Sequence, residues 1–509
     1  MYQINAREFI EDASEWIYDL SINHIPSESI DHAKIMLIDT IGASLASPTT
    51  SYGRQVVLDF FKDDYDLPKV LSMLSVLLDY DSTLLYYGHL GHGILASIIY
   101  YILHNKEVSG EKILEAVIGA SEITARVAAS LSFSETRGQM MSSIHALSTA
   151  ILLSKLSDSS PHDTLNSINY ALSILLKPTK EGFATVAKSL VALTGFMHGL
   201  NAYKLMKTTT NSIRVFEGFL NAWGGHIIKA PFGGLGKRWH INTLSVKKYP
   251  ACSYAQTAIE SALKISNYIK PDAIKEIKRI IIKENFLTYH MDQRFKTFID
   301  NKRTSFTALQ FYTPYLIAYT LLYKNPEPQM YETKFINDNN IWNLILKTET
   351  IHDLSLTRLM LKEPLPFGIA LHELKFIEKI YLLLKLGGVK ALKMIFYPEV
   401  MHGYDINEVN FNAVKKIMSV EIEIKTRKDV FNASTDIVDG FHGTGINNKR
   451  IISIKKLNYL KSFINDDEFY QTLDILQSIE KANYDDLKTI INVILKATRS
   501  SIKNVKREQ

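Results

Sequence analysis

Apolar residues recur at helical spacing through most of the first 245 residues of the chain. In residues 29–47, SIDHAKIMLIDTIGASLAS, the pattern opens after the serine of SES and ends in small residues and Pro48, which predicts a helix. Residues 109–131, SGEKILEAVIGASEITARVAASL, begin at Ser109, a good N-cap. Alanine and glycine recur there at three-to-four spacing, which predicts close packing against another helix.

Two further segments, residues 143–156 and 196–206, are rich in small residues and apolar nearly all round. Helices of this kind are typical of the interior of a bundle, because a surface helix keeps one polar face. The first half of the chain therefore predicts an all-α domain.

The pattern changes near residue 247. Residues 274–284, IKEIKRIIIKE, and 418–434, MSVEIEIKTRKDVFNAS, have the alternation and β-branched content of strands, and the second is expected to turn at Arg427–Asp429. Helical patterns lie between them at residues 313–323 and 372–396.

Helical spacing returns from about residue 455 to 498. The predicted fold is therefore mainly α, with a large all-α domain into which a smaller α+β lid domain is inserted. The predicted bounds are 1–246 for the first part of the helical domain, 247–450 for the lid, and 451–509 for the return of the helical domain.

Composition narrows the class of protein. Apolar residues make up 46% and charged residues 22%, which is ordinary for a globular protein. A net charge of +5 is too small and scattered to indicate nucleic acid as a partner. Cys252 is the single cysteine, so an internal disulfide is excluded and a cytoplasmic location is expected. The N-terminus is unlike a signal peptide, and no apolar run is long enough to span a bilayer.

Candidate chemistry begins in residues 77–93, LLDYDSTLLYYGHLGHG. Asp79 and Thr83 are four positions apart, which predicts that they share one helix face. His89 follows in a glycine-flanked turn, from which its ring could reach back toward them. Lys188 interrupts the apolar helix pattern TVAKSLVAL, and Lys247 precedes KYPAC at the expected domain junction. Two lysines and a histidine facing one cleft would bind a small di- or tricarboxylate.

Simpler interpretations exist for each residue. A lone lysine in an apolar helix usually extends to water, a lone histidine is often a hydrogen-bonded core residue, and an aspartate at a helix start is usually a cap. His89 and His92 could share a helix face as metal ligands, but no nearby acid completes a known pattern, so no metal is expected.

Several of these segments together resemble the MmgE/PrpD family, which includes 2-methylcitrate dehydratase and cis-aconitate decarboxylase. DYDSTLLYYGHLGHGILA resembles the family's DFDDT…HPSG stretch and sets Asp79, Thr83 and His89 in matching places. LIDTIGASLAS resembles the first family helix, and Lys188 with Gly199 resembles the K-x-x-H-x-G helix and the glycine that follows it. LGKRWHINTLSVKKYPACSYAQTAIESAL resembles the junction around Lys247. Tyr315 in TPYLIAYTLL matches a tyrosine of the family's lid region.

This resemblance implies a site between a helical domain and a lid, a homodimer, and no cofactor. The expected activity is that of a lyase that dehydrates 2-methylcitrate or a related hydroxy acid. Lys188 and Lys247 would neutralise substrate carboxylates, and one of Asp79 and His89 would take a proton while the other assists loss of the hydroxyl. Thr83 would orient the substrate. Two further substrate contacts are expected, from Tyr315 and Cys252.

The chain also departs from the family pattern. Cys252 and Gln139 stand where the decarboxylases carry histidines, and Tyr254 replaces a histidine of the dehydratases' FPAEFH. Ser82 replaces the second acid of DFDD. In the K-x-x-H-x-G motif that begins at Lys188, Val191 and Leu193 replace the histidine and the glycine. The alternatives are therefore a cis-aconitate decarboxylase, a carboxylate epimerase, or a catalytically decayed carboxylate-binding homologue.

Overall fold

The computed structural model describes residues 6–85, 88–105, 107–132, 140–208, 215–224, 227–364 and 367–508. Helices predominate among them, which confirms the prediction of a mainly α fold. No helix in these ranges is both long and apolar enough to cross a membrane.

Helices account for nearly all regular structure before residue 244. They are α1 Ala6–Asp19, α2 Ser27–Ala46, α3 Ser51–Phe60, α4 Leu67–Leu77, α5 Gly91–His104, α6 Gly110–Ser130, α7 Met141–Leu156, α8 Pro161–Leu172, α9 Lys180–Phe183, α10 Leu190–Leu205 and α11 Val215–Trp223.

The middle of the chain mixes helices with strands. Its helices are α12 Gln256–Ser266, α13 Pro271–Lys275, α14 Phe286–Lys296, α15 Phe306–Leu309, α16 Thr313–Tyr323, α17 Thr333–Ile336, α18 Asn339–Ile345, α19 Leu354–Leu361, α20 Phe367–Glu373, α21 Phe376–Ala391 and α22 Pro398–Met401. The chain ends in α23 Ile446–Leu457, α24 Asp466–Gln477 and α25 Tyr484–Glu508.

Within the described residues, the strands form two sheets of very different size. They are β1 Thr83–Leu84, β2 Leu244–Ser245, β3 Arg279–Glu284, β4 Thr348–His352, β5 Val420–Lys425 and β6 Val430–Thr435. β1 pairs with β2 in an antiparallel two-stranded sheet, and the larger sheet has the order β4-β3-β5-β6. In the larger sheet β3 and β4 are parallel, whereas the β3–β5 and β5–β6 pairs are antiparallel.

The predicted strands are confirmed, and one strand was missed. β3 lies inside residues 274–284, and β5 and β6 flank a turn at residues 426–429. β4 has the sequence TETIH and lies at the edge of the sheet, where it is half-exposed along its length. Because neither of its faces is buried, its sequence lacks the apolar alternation that would predict a strand.

The helix predictions hold in most places. Ser109 caps α6 by accepting a hydrogen bond from the Lys112 backbone N–H, and α7 is buried on all sides. The prediction that residues 196–206 are equally buried is wrong, because α10 buries only one face. That face carries Gly195 and Gly199, where added β-carbons would lie 2.5 Å and 2.3 Å from backbone oxygens of α7.

The C-terminal return begins earlier than predicted, at Ile446, and consists of three helices. α23 packs against α2 and contacts the loop that follows α4. Lys456 of α23 donates to the Tyr80 carbonyl oxygen at 2.5 Å and forms a buried ion pair with Asp39 of α2. The end of the chain therefore holds the candidate catalytic loop in place. The predicted domain bounds stay a prediction.

Candidate active site

A cavity of about 110 Å³ lies beside the loop between α4 and α5. Its wall combines that loop with the segment before α12, one face of α14, and the residues just before β5. The lining residues are Asp79, Thr83, Gly88, His89, Met141, Phe183, Cys252, Ser253, Tyr254, Met291, Arg294, Phe295, Phe311 and Lys416.

The short β1–β2 sheet explains why distant segments meet here. Thr83 pairs with Ser245, so the chain just after β2 runs beside the loop that carries Asp79. Lys247 follows β2 by two positions, and its ammonium group thereby reaches Asp79. The structure thus brings together Asp79, Thr83, Lys188 and Lys247, and places His89 in the same cavity wall as Asp79 and Thr83.

Asp79 does not lie on a helix. α4 ends at Leu77, and Asp79 follows with a φ of 52°, in the left-handed region. The prediction that Asp79 and Thr83 share one helix face is therefore wrong: Thr83 lies in β1. Apolar spacing alone does not reveal this, because aspartate tolerates left-handed backbone better than most side chains.

Two ammonium groups hold the Asp79 carboxylate. Lys188 Nζ lies 2.6 Å from Oδ1, and Lys247 Nζ lies 2.9 Å from Oδ2 and 2.6 Å from the Asp79 carbonyl oxygen. Burial alone would raise the pKa of Asp79, but Lys188 and Lys247 outweigh burial and hold that pKa well below its ordinary value. Asp79 is therefore a permanent carboxylate at neutral pH and a poor acceptor for a substrate proton.

Lys188 and Lys247 are fully buried, and their ammonium groups form hydrogen bonds with other groups of the protein. Lys188 lies on a 3₁₀ turn, Val186–Ser189, and also donates to Gln310 Oε1 at 2.9 Å. Burial lowers the pKa of Lys247, but the charges of Asp79 and Asp81 raise this pKa by more than burial lowers it. The pKa of Lys247 therefore lies above its ordinary value. That both lysines bind substrate carboxylates stays a prediction.

His89 is the predicted residue best placed for proton transfer. Its side chain is 21% exposed at the cavity wall, and its Nδ1 lies 2.7 Å from Asp81 Oδ2. Burial lowers the pKa of His89 and the Asp81 charge only partly opposes this, so the imidazole is neutral at pH 7. Contact with a carboxylate places the ring proton on Nδ1, which makes Nε2 the basic nitrogen.

Asp81 is the main residue that sequence reasoning missed. It is fully buried, and besides His89 it contacts His92 Nε2 at 3.1 Å and Lys247 Nζ at 3.7 Å. Burial would raise the pKa of Asp81, but these three neighbours hold it well below its ordinary value. Asp81 could have been identified from the sequence by its position, because it lies two residues after Asp79 in the same stretch as His89.

Asp81, His89 and His92 place three possible metal ligands within 4.8 Å of one another. No known metal-binding pattern in the sequence joined an acid to His89 and His92, and in the structure Asp81 is the acid that lies beside them. Lys247 already compensates the Asp81 charge, and His92 Nδ1 is engaged by Ser75 Oγ at 2.8 Å. A divalent cation would have to occupy this place beside an ammonium group, which is unfavourable.

Two cationic residues line the cavity without a sequence signal. Lys416 is fully buried, and its Nζ donates to Thr83 Oγ1 at 3.1 Å and to Ser253 Oγ. Burial, aided by the charge of Lys247, lowers the pKa of Lys416 to about 7. Arg294 reaches the cavity from α14.

The positions that depart from the family pattern fall in different places. Cys252 and Tyr254 line the cavity, and burial, followed by the Asp79 charge, raises the pKa of the Cys252 thiol to about 12. Tyr315 is not brought to the cavity: it is buried in α16, where its hydroxyl donates to the Met330 carbonyl oxygen at 2.6 Å. Gln139 lies outside the described residues.

Comparison with known proteins gives one family match. Residues 249–367 match the model of the MmgE/PrpD C-terminal domain, which spans the segment from Tyr249 through α19. A search of curated proteins finds no match to the chain.

Proposed function

Because residues 249–367 match the MmgE/PrpD C-terminal domain, we propose that the chain is a lyase of this family that acts on a small di- or tricarboxylate. The proposed reaction is dehydration of 2-methylcitrate or a related hydroxy acid. In this reaction a base removes a proton from a carbon next to a carboxylate, and a hydroxyl group leaves from the neighbouring carbon.

The observation that carries the proposal is the position of His89 in the cavity wall. Its Nδ1 faces Asp81, so its basic Nε2 is the nitrogen that can take a substrate proton. Asp81 then stabilises the imidazolium that forms, as a buried carboxylate does in other acid–base pairs. Asp79 lines the same cavity but is neutralised by two lysines, so His89 is the better base.

The charges around the cavity suit an anionic substrate. Lys188 and Lys247 compensate Asp79 and Asp81, since each lysine lies within 4 Å of at least one of these carboxylates. Arg294 and Lys416 are two further basic residues in the cavity wall. Cations beside a substrate carboxylate stabilise the enediolate-like charge that develops when the adjacent C–H bond breaks.

The direct test follows the purified protein by proton NMR with 2-methylcitrate, citrate and cis-aconitate in separate samples. Loss of a hydroxy acid with appearance of an alkene signal supports the dehydratase. The His89→Gln variant is expected to lose this turnover, and the His162→Gln variant, changed at an exposed histidine, is expected to keep it. A wild-type rate in His89→Gln would remove His89 from the mechanism.

Other outcomes of this test identify the alternatives. Release of carbon dioxide from cis-aconitate with formation of itaconate would assign the decarboxylase. Inversion at a carbon next to a carboxylate, without elimination, would assign an epimerase that uses the same proton abstraction. A carboxylate that raises the melting temperature without any turnover would indicate a carboxylate-binding homologue.

A further inference from the structure

Elimination of water needs an acid as well as a base, since hydroxide is a poor leaving group. Asp79 lines the cavity, but it is held as a carboxylate by Lys188 and Lys247 and has no proton to give at neutral pH. The buried thiol of Cys252 has a pKa raised to about 12, so it is a weak donor. The acid must come from another part of the wall.

Lys416 lies in that wall and comes from a different part of the chain than His89. It precedes β5, and its backbone N–H donates to the His442 carbonyl oxygen at 2.9 Å, which fixes the start of the side chain. The ammonium group lies 4.6 Å from the centre of the Phe441 ring and contacts the hydroxyl groups of Thr83 and Ser253. The side chain is therefore held at both ends.

The hydroxyl contacts of Lys416 suit a group that gains and loses a proton. A hydroxyl accepts a hydrogen bond from an ammonium group and can rotate to donate one to a neutral amine. Thr83 and Ser253 can thus satisfy Lys416 in both states, which a carboxylate partner could not do.

We propose that Lys416 is the general acid of the elimination and protonates the leaving hydroxyl group. This role rests on the proposed function. His89 Nε2 takes the proton as the C–H bond breaks, and the electron pair is held as an enediolate, which can either regain a proton or go on to eliminate. In the elimination this electron pair forms the new C=C bond. The C–O bond breaks as Lys416 Nζ transfers a proton to the oxygen, which leaves as water. The catalyst is then imidazolium and amine, and one proton passed from His89 to Lys416 through solvent restores both.

The electrostatics around Lys416 agree with this role. Burial, the larger effect, and the charge of Lys247 lower the pKa of Lys416 to about 7. At this pKa the ammonium group is present in quantity at neutral pH and gives up its proton more readily than an exposed lysine.

The test separates the two proton transfers by using deuterium oxide and 2-methylcitrate. In Lys416→Met, elimination should fall by about 100-fold or more, while exchange of the C–H proton with solvent continues, because His89 is intact. Lys415→Met, at the exposed neighbouring lysine, should retain both rates. Elimination within threefold of wild type in Lys416→Met would overturn the role of Lys416 alone. A wild-type protein that neither exchanges nor eliminates would overturn the proposed function and this role with it.

A second experiment distinguishes a proton donor from a mere positive charge. In Lys416→Ala, methylammonium should restore part of the elimination rate, because it can enter the vacated space and carry a proton. Tetramethylammonium has the charge but no proton, and it should restore nothing. Equal rescue by both ions, or by neither in a folded variant that still binds 2-methylcitrate, would contradict the proposal. Melting temperatures establish that the variant is folded.

Discussion

The Nδ1 atom of His89 lies 2.7 Å from Oδ2 of Asp81, and the same carboxylate oxygen lies 3.1 Å from Nε2 of His92. Asp81 is completely buried, whereas the His89 ring is partly exposed in the cavity wall. This geometry fixes which nitrogen of His89 is basic, and it places the supporting charge behind the ring, away from the cavity.

Asp81→Asn tests this arrangement with little change in volume. We expect kcat to fall by about 10²- to 10⁴-fold, because an amide neither fixes the tautomer nor stabilises the imidazolium. The Asp81 charge raises the pKa of His89, so its removal should move the acid limb of the pH–rate profile to lower pH. A structural role alone would lower the rate without moving that limb. Ser82→Ala, at the next residue, is the matched control.

Asp79→Asn should destabilise the protein, because it leaves Lys188 and Lys247 buried without the carboxylate that they contact. Loss of one partner of a buried ion pair costs about 3–5 kcal/mol in the free energy of unfolding. The pKa of Asp79 is depressed in the folded state, so its stabilisation is present above the unfolded value of about 4 and is lost as pH falls below it.

Urea unfolding of wild type and Asp79→Asn between pH 3 and pH 8 measures this difference. The gap between the two proteins should be largest near neutral pH and should shrink in acid. A gap that does not change with pH would show that the Asp79 charge contributes nothing. Asp272→Asn, at an exposed aspartate, should leave the free energy of unfolding nearly unchanged.

A second buried carboxyl pair predicts the opposite pH dependence. Thr313 Oγ1 lies 2.7 Å from Glu284 Oε1, at the end of β3, and 2.6 Å from Asp292 Oδ2, in α14, and its single proton can be donated to only one of them at a time. Burial, and for Glu284 also the charge of Asp292, raises the pKa of both groups, that of Asp292 to about 7. For groups with a raised pKa, stability is highest below the unfolded value of about 4 and falls as pH rises through the folded value.

Glu284→Gln removes one of these two charges and keeps a group that can contact Thr313. Its melting temperature should exceed that of wild type at pH 8 to 9, and the advantage should disappear at pH 5. Differential scanning calorimetry at both values measures this. A variant that is less stable than wild type at pH 9 would contradict the account of this pair.

Arg294→Leu is expected to weaken binding of the carboxylate substrate. A hydrogen bond to a charged group contributes about 1.5–3 kcal/mol, which corresponds to a rise in KM of roughly 10- to 100-fold. The value of kcat should change much less, since His89 is untouched. Arg303→Leu, at an arginine that is 84% exposed, is the matched control. An unchanged KM in Arg294→Leu would exclude Arg294 from substrate binding.

The sequence correctly predicted the structural features that depend on residues close together along the chain. The Ser109 cap and the turn before β6 follow from short-range geometry, and both are present. One segment supplies Asp79, Thr83 and His89, whereas Lys188 and Lys247, from two other segments, were assigned to the site with the help of the family resemblance. The left-handed backbone of Asp79 was missed, because aspartate also fits the helical pattern that precedes it.

The remainder of the site depends on contacts between distant residues. Lys416 and Thr83 are separated by 333 positions, and no local pattern distinguishes Lys416 from the exposed Lys415 beside it. Arg294 lies on a helix of ordinary polarity and reaches the cavity only through the packing of α14. The sequence therefore predicted Asp79 and the two lysines that contact it, and missed Asp81 and the cations that line the cavity.

The proposed function depends on His89 as the base that removes a proton from a carbon next to a carboxylate. The most direct measurement is the initial rate of deuterium incorporation into 2-methylcitrate, in deuterium oxide, by wild type and His89→Gln. We expect incorporation or elimination by wild type and loss of both in a folded His89→Gln protein. Equal incorporation by the two proteins would contradict it.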